Sequence, residues 1–361
     1  MEKNQIITIA VVAIVAIAAM GIGIYALNKD DPPGDVDVVD SRNRTVSVPE
    51  NIGAILCIKS CSLELVSYFD SVNKVCAIDS NDKIIGDKGY AQVYKDLFSS
   101  LDTITVSSAE EIIQLDPDII ISSTVSVTDL DQEQSTYGIP VYGINADLEF
   151  GADAWFDQIT KLGILLGEEN RASEINNGVR GLIADITAKT VANVSGYACG
   201  MMFYGAGNFL KTSGDYLPFT YSGVTNVMPP NHSGVGGQPY NTTIEEIIAE
   251  TFDYIFIDGS SVATTTDQIN TYIGTTTLYS EPAILNDNVY KVMVYKNWGT
   301  QWDSQLINCF YTAHIVNGDA YDWTFEDKAN EVIQLFYNGT TVTYADLAEG
   351  QTSGGCGVVT L

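Results

Sequence analysis

Two histidines and six cysteines are the only imidazoles and thiols in 361 residues, and their spacing builds no reactive centre. Cys57 and Cys61 lack the second pair that a zinc site needs, and His232 and His314 stand far apart. The chain has no H-E-x-x-H segment, no H-x-E paired with C-x-x-C and no nucleophile elbow. Acid–base chemistry would fall to carboxylates, and no spacing singles out a pair. The reading is therefore no catalytic residue, no metal and no intrinsic cofactor. Ser233-Gly234-Val235-Gly236-Gly237 lacks the lysine–serine ending of a phosphate loop and reads as a mobile glycine-rich loop near a cleft. What the chain offers instead is recognition chemistry in four loops, each after an apolar strand-like run. These are Lys59-Ser60-Cys61-Ser62, Ser80 to Tyr90, Tyr204 to Phe209 and Asn297 to Trp302. Loops at the carboxyl ends of strands line the ligand crevices of α/β sheets. Lys59, Ser60, Cys61, Ser62, Tyr90, Tyr204, Asn208, Phe209, Trp298 and Trp302 are the candidate ligand-binding residues. For each aromatic a place in the core or on a rim is the competing reading.

Elements able to position these loops alternate along the chain. Ala54–Ile58, Val75–Ile78, Ile119–Ser122 and Val141–Ile144 read as strands, with helices at Ser62–Phe69, Ala109–Leu115 and Asp129–Tyr137. That alternation predicts a parallel sheet flanked by helices in an N-terminal α/β lobe, residues 36–150. In residues 151–192, Ala172, Ile175, Val179, Leu182, Ile183 and Ile186 form one stripe at helical period. A helix from Glu168 to Thr190 would be about 34 Å long and able to bridge two lobes. Strands resume at Tyr197–Phe203, Tyr254–Ile257 and Val289–Val294. Helices read at Ile244–Ala249, Thr266–Tyr272, Trp302–Ile315 and Phe325–Tyr337, giving a C-terminal α/β lobe, 193–340. The tail, 341–361, carries no packing pattern. The fold class is α/β: two lobes with mostly parallel sheets joined by one long helix.

The halves echo each other. Ser107–Ser122 and Thr242–Ile257 align at a spacing of 135 residues, matching Glu110 with Glu245, Ile113 with Ile248 and Asp118 with Asp253. Both copies open on a capping-box pattern, Ser107-x-x-Glu110 and Thr242-x-x-Glu245. A net charge of −29 excludes nucleic acid as a partner. Ile6 to Leu27 is an uncharged apolar run long enough to span a bilayer, and residues 1–35 read as a transmembrane anchor and tether. A cleaved signal peptide is the alternative there. Sequons at Asn43, Asn193, Asn231, Asn241 and Asn338 suit an exported body. Cys57, Cys76 and Cys199 sit in apolar runs and read as buried free thiols.

The opening Asp40-Ser41-Arg42-Asn43-Arg44-Thr45-Val46-Ser47-Val48-Pro49, the echo and the middle helix resemble the helical-backbone solute-binding proteins of ABC importers. Asn43 stands where that family's opening carries glycine. The resemblance implies a monomeric receptor on the outer face of the cytoplasmic membrane, with an ABC permease and its ATPase as partners. It implies that Glu110 and Glu245, one per lobe, dock onto permease arginines. It implies a bulky metal-chelate ligand: a corrinoid, a ferric siderophore or haem. Trp298 stands where vitamin B12 receptors of the family also carry tryptophan, and an aromatic face suits a flat chelate. The alternatives are a surface sensor or adhesion module on the same fold, or an extracellular enzyme.

Overall fold

The computed structural model describes residues 34–83, 86–105, 108–189, 193–202, 206–228, 239–294 and 296–361. The apolar run Ile6–Leu27, Ser107, Tyr204, Asn231 and His232 lie outside the described residues. Among the described residues no helix is long and apolar enough to cross a membrane.

The chain opens on an antiparallel hairpin of β1 (Asp35–Val39) and β2 (Thr45–Pro49). Its turn is held by the fully buried Asp40. That carboxylate accepts hydrogen bonds from Arg42 N (2.9 Å), Arg44 N (2.8 Å), Arg44 Nε (2.9 Å) and Gly143 N (3.0 Å). Asn43 takes φ 62°, the left-handed conformation that asparagine tolerates better than most residues. This explains why asparagine substitutes there for the glycine of the family opening.

The first lobe is a five-stranded parallel sheet of β3 (Ile55–Ile58), β4 (Val75–Asp79), β5 (Asp102–Ile104), β6 (Ile119–Ser122) and β7 (Val141–Gly143). Their order is β5-β4-β3-β6-β7. Both faces are covered, so β3 and β6 are buried at every residue, as an all-parallel sheet requires. Two helices follow, Asp153–Leu166 and Glu169–Thr187, turning at Gly167. They pack antiparallel: Asn176 Nδ2 donates to Phe156 O at 3.0 Å and to Thr160 Oγ1 at 2.9 Å. The second helix, 19 residues or about 28 Å long, lies within the Glu168–Thr190 stretch read as helical and is slightly shorter than it.

The second lobe is a mixed sheet. Its strands are β8 (Ser195–Cys199), β9 (Lys211–Thr212), β10 (Thr225–Asn226), β11 (Tyr240–Asn241), β12 (Tyr254–Ile257), β13 (Val289–Lys291) and β14 (Gly357–Val358). The order is β11-β9-β8-β12-β13-β14, with β10 also on β8. β8, β10, β12 and β13 are parallel; β9, β11 and β14 are antiparallel additions.

Two expectations need correction. The tail does pack: Tyr344–Gly350 is a helix with Leu347 fully buried, and β14 closes the edge of the second sheet. Helices Trp302–Asn317 and Phe325–Phe336 do not serve the second lobe alone. Trp302, Phe310, Phe336 and Tyr337 share one hydrophobic core with Ile55, Tyr68 and Trp155, so the lobes meet over a common apolar interior.

The echo is real architecture. Helices Ala109–Leu115 and Ile244–Ile248 lead into β6 and β12. Asp118 Oδ2 accepts from Gly53 N (2.6 Å) and Ala54 N (2.8 Å), fastening the entry of β3. Asp253 Oδ2 accepts from Ser195 N (2.8 Å) and Ser195 Oγ (3.0 Å), fastening the entry of β8. The matched aspartates thus do the same work in each lobe.

Candidate functional site

The capping register differs by one residue from the sequence pattern. Ser108 and Thr243 are the N-caps, and their hydroxyls accept from Glu111 N (3.3 Å) and Glu246 N (3.2 Å). Glu246 completes a capping box on Thr243 N at 2.9 Å, and Glu111 accepts from Thr105 N at 3.0 Å. Glu246 is thus the capping acid of its helix, whereas the Glu111 side chain ties the preceding turn through Thr105 N. Glu110 and Glu245 are exposed on the first turn of equivalent helices, one in each lobe, and neither is the acid that caps its helix.

The carboxyl ends of the strands carry the candidate ligand loops. After β3 the chain turns through two left-handed non-glycine residues, Lys59 (φ 65°) and Cys61 (φ 64°). Such conformations carry strain and persist where the surroundings enforce them. Lys59 Nζ is held by Thr124 and Glu133, and Glu133 also accepts from Ser122 Oγ at 3.0 Å and Thr124 Oγ1 at 2.7 Å. Facing this turn is a second strained one, with Trp298 at φ 56° and Gly299 at φ 129°. Asn297 N donates to Gly299 O at 2.9 Å, and Gln301 Nε2 to Asn297 O at 3.0 Å. The turns touch: a Cβ on Gly299 would fall 2.5 Å from Cys61 Sγ and 3.1 Å from Ser60 Cβ. Only glycine satisfies both the positive φ and that approach. Ser60 is half-buried at this contact, and Trp298 keeps 37% of its surface exposed.

Other candidates are spent on structure. Ser62 is fully buried and its hydroxyl bonds Ile58 O at 2.7 Å. Cys61 is 3% exposed, with its thiol 3.7 Å from Thr300 O. The Tyr90 hydroxyl donates to Asp82 at 2.6 Å within the first lobe. Phe209 packs edge-on to Tyr197, centroids 5.4 Å apart, and Trp302 packs against Trp155 at 6.3 Å. Both are fully buried, the Phe209 ring in the core of the second lobe and the Trp302 ring in the apolar interior that the lobes share. Asn208 is half-buried and its side-chain oxygen caps the next turn, accepting from Leu210 N at 2.9 Å. The structure thus brings together Lys59, Ser60, Cys61 and Trp298, and sends Ser62, Tyr90, Phe209 and Trp302 inward.

Sequence reasoning missed a set of buried acids beneath this contact. Glu64 accepts from Tyr68 Oη (2.6 Å) and from Trp302 N (2.8 Å). It therefore anchors, from the first lobe, the start of a helix that has no side-chain cap of its own. Asp303 accepts from Tyr337 Oη at 2.8 Å. Burial pushes the Glu64 carboxyl well up, helped by the nearby Asp303 and beyond what its hydrogen bonds offset, and burial raises Asp303 against its hydrogen bonds to Tyr337 and Ser304. Burial lifts Asp82 to about 6 against the hydrogen bond from Tyr90 and the nearby Lys88. Across the mouth, burial lowers Lys296 while Asp147 opposes the shift. All six cysteines are free thiols: Cys57, Cys61, Cys199 and Cys309 are buried, whereas Cys76 and Cys356 are partly exposed. Among the described residues no cluster of three metal-ligating side chains exists.

Two α/β lobes share one apolar interior, and the turn after β3 of one meets the turn at Gly299 of the other. The model of the periplasmic binding protein family matches residues 57–292, and the chain belongs to that family. It is a helical-backbone solute-binding protein of the ABC-importer class, a transport component that works outside the cytoplasmic membrane. No curated protein matches it. Among solved structures it is similar to a periplasmic solute-binding protein of Veillonella parvula. Identity is 16%, coverage 87% of this chain and 96% of that one, and the TM-score 0.67. It is similar to the molybdate periplasmic binding protein MolA of Haemophilus influenzae, bound to molybdate: 17% identity, 86% and 100% covered, TM-score 0.64. It is also similar to CeuE of Helicobacter pylori with Ni(II) bound: 16% identity, 87% and 99% covered, TM-score 0.62.

Proposed function

We propose that the chain captures a bulky metal chelate, a corrinoid or an iron complex, between its lobes and delivers it to an ABC permease. Glu110 and Glu245 are the docking acids. The observation that carries this reading is their equivalence: each is exposed, on the same turn of the repeated unit, and neither is the residue whose N–H the N-cap hydroxyl binds. Charge-assisted hydrogen bonds to arginines are the interaction that such acids offer a partner.

For the ligand, the support is the partly exposed Trp298, next in the chain to the Gly299 that approaches Cys61 and Ser60. Lys59 is engaged by Glu133, which lowers the appeal of the mouth to a multiply charged anion. A neutral or weakly charged chelate with an apolar face fits this lining better. The related structures hold molybdate in one case and Ni(II) in another, so the fold does not fix the cargo. Native mass spectrometry with an absorption spectrum of co-purified ligand is the direct test, followed by titration with cyanocobalamin and a ferric hydroxamate. Micromolar binding of either supports the reading; binding of molybdate with neither chelate bound overturns it.

We further propose that Ile6–Leu27 tethers the body to the membrane as an uncleaved helix. Protease added to intact cells should release a fragment lacking only the N-terminus, and a soluble full-length product inside the cell would refute the tether.

A further inference from the structure

The chain beyond Thr340 crosses from one lobe to the other. Thr343 and Asp346 cap the helix Tyr344–Gly350 reciprocally, with Thr343 N to Asp346 Oδ2 at 2.8 Å. Leu347 seats that helix in the shared core. Gln351 comes next and is 4% exposed. Its Nε2 donates to Asp87 O of the first lobe at 3.3 Å, and its Oε1 accepts from Val294 N of the second lobe at 3.2 Å. Thr352 grips Asp87 again, N to Oδ1 at 2.7 Å and Oγ1 to Oδ2 at 3.1 Å. On the other side Lys291 Nζ donates to Ser353 O. Left-handed Gly354 and Gly355 then carry the chain into β14 on β13, and Val359 N bonds Val289 O at 2.8 Å.

One glutamine side chain therefore touches both lobes, and the residues after it are fastened to each. The place matters. Asp87 lies in the loop that follows β4, and Val294 lies just past β13, so both stand at the strand ends where ligand loops cluster. Separating the lobes on this side must break the Gln351 bond to Asp87 or the one to Val294. We propose that Asp87, Gln351 and Thr352 form a strap that ties the lobes together on the β4–β13 side of the cleft and limits how far they open. Its bonds are few and partly exposed, so the strap is reversible. The effect on ligand exchange rests on the receptor reading, whereas the tie itself does not.

The test compares the full-length wild-type chain with Gln351→Ala/Thr352→Val by hydrogen exchange and small-angle scattering. Amides of 86–93, 292–294 and 351–361 should all exchange about tenfold faster in the variant, and its radius of gyration should rise. Faster exchange confined to 351–361 would overturn the proposal, leaving β14 as an edge strand only. Asp87→Asn, a surface change that keeps an acceptor for Thr352, guards against misfolding and should loosen 86–93 to a smaller degree. No change at 86–93 in a folded Asp87→Asn protein would also count against the strap. If cyanocobalamin binds, its release from the double variant should be about tenfold faster. If it binds neither protein, the chelate reading fails while the exchange data still decide the strap.

Discussion

Replacing Glu110 and Glu245 together by glutamine separates docking from ligand capture. Both side chains are exposed and neither caps its helix, so folding should change by less than about 0.5 kcal/mol. Ligand affinity should stay within about threefold, because neither residue is among those where the turn at Gly299 meets Ser60 and Cys61. Each acid offers a partner one charge-assisted hydrogen bond, so coupling to the permease should drop about tenfold or more per acid. The assay is ATPase stimulation of the reconstituted partner, beside ligand titration and thermal melting of the same samples. A neighbour supplies the control. Glu246→Ala removes an acid that does complete a capping box, and should cost about 0.5–2 kcal/mol of stability with docking little changed. Added salt should weaken wild-type stimulation if the contact is electrostatic. Equal loss of ligand affinity and stimulation in the double glutamine variant, or loss of neither, would refute the assignment.

Asp40→Ala should destabilise the first lobe by about 3–5 kcal/mol in urea denaturation, since it strips four hydrogen bonds and leaves Arg44 buried with only Asp131 as an ion partner. A loss under about 1 kcal/mol would refute that accounting. Asp82 holds its proton up to about 6 in the folded chain, above the ordinary 3.8, so its stabilising effect is complete at low pH and fades as pH rises through 6. Relative to wild type, Asp82→Asn should therefore gain stability between pH 4 and pH 7, by up to about 3 kcal/mol, and a flat difference across that range would refute the shift. Scattering curves of ligand-free and ligand-bound wild-type protein should nearly superimpose, because a long helix and a shared apolar core resist large hinge motion; marked compaction on binding would contradict this.

The strands and the echo were legible because short apolar runs bounded by capping residues leave little choice. The cap register was not. Ser107-Ser108 and Thr242-Thr243 precede Glu110-Glu111 and Glu245-Glu246, and doublets of like residues allow two alignments. Backbone geometry chose the second hydroxyl in each case. Aromatic residues after strands could face a cleft or a core, and the start of the helix at Trp302 turned that ring toward Trp155. Glu64 looked like an ordinary acid on a short helix. Its burial depends on Trp302, whose backbone N–H lies 238 residues further along the chain. In the tail, Leu347 alone gave no periodic signal, yet it is fully buried.

Asp118 and Asp253 fasten β3 and β8 at the strand entries, the margin of each sheet turned away from the mouth. Strand alignment is thereby set from behind, before the chain reaches the loops at the opposite strand ends. Those loops inherit an already registered sheet and carry little of the burden of threading it. If the loops after β3 and β13 bind the ligand as proposed, the residues that specify shape are separate from those that specify cargo. Exchanging the turns after β3 and β13 for those of another family member, with Asp118 and Asp253 retained, becomes a route to new cargo on an unchanged chassis.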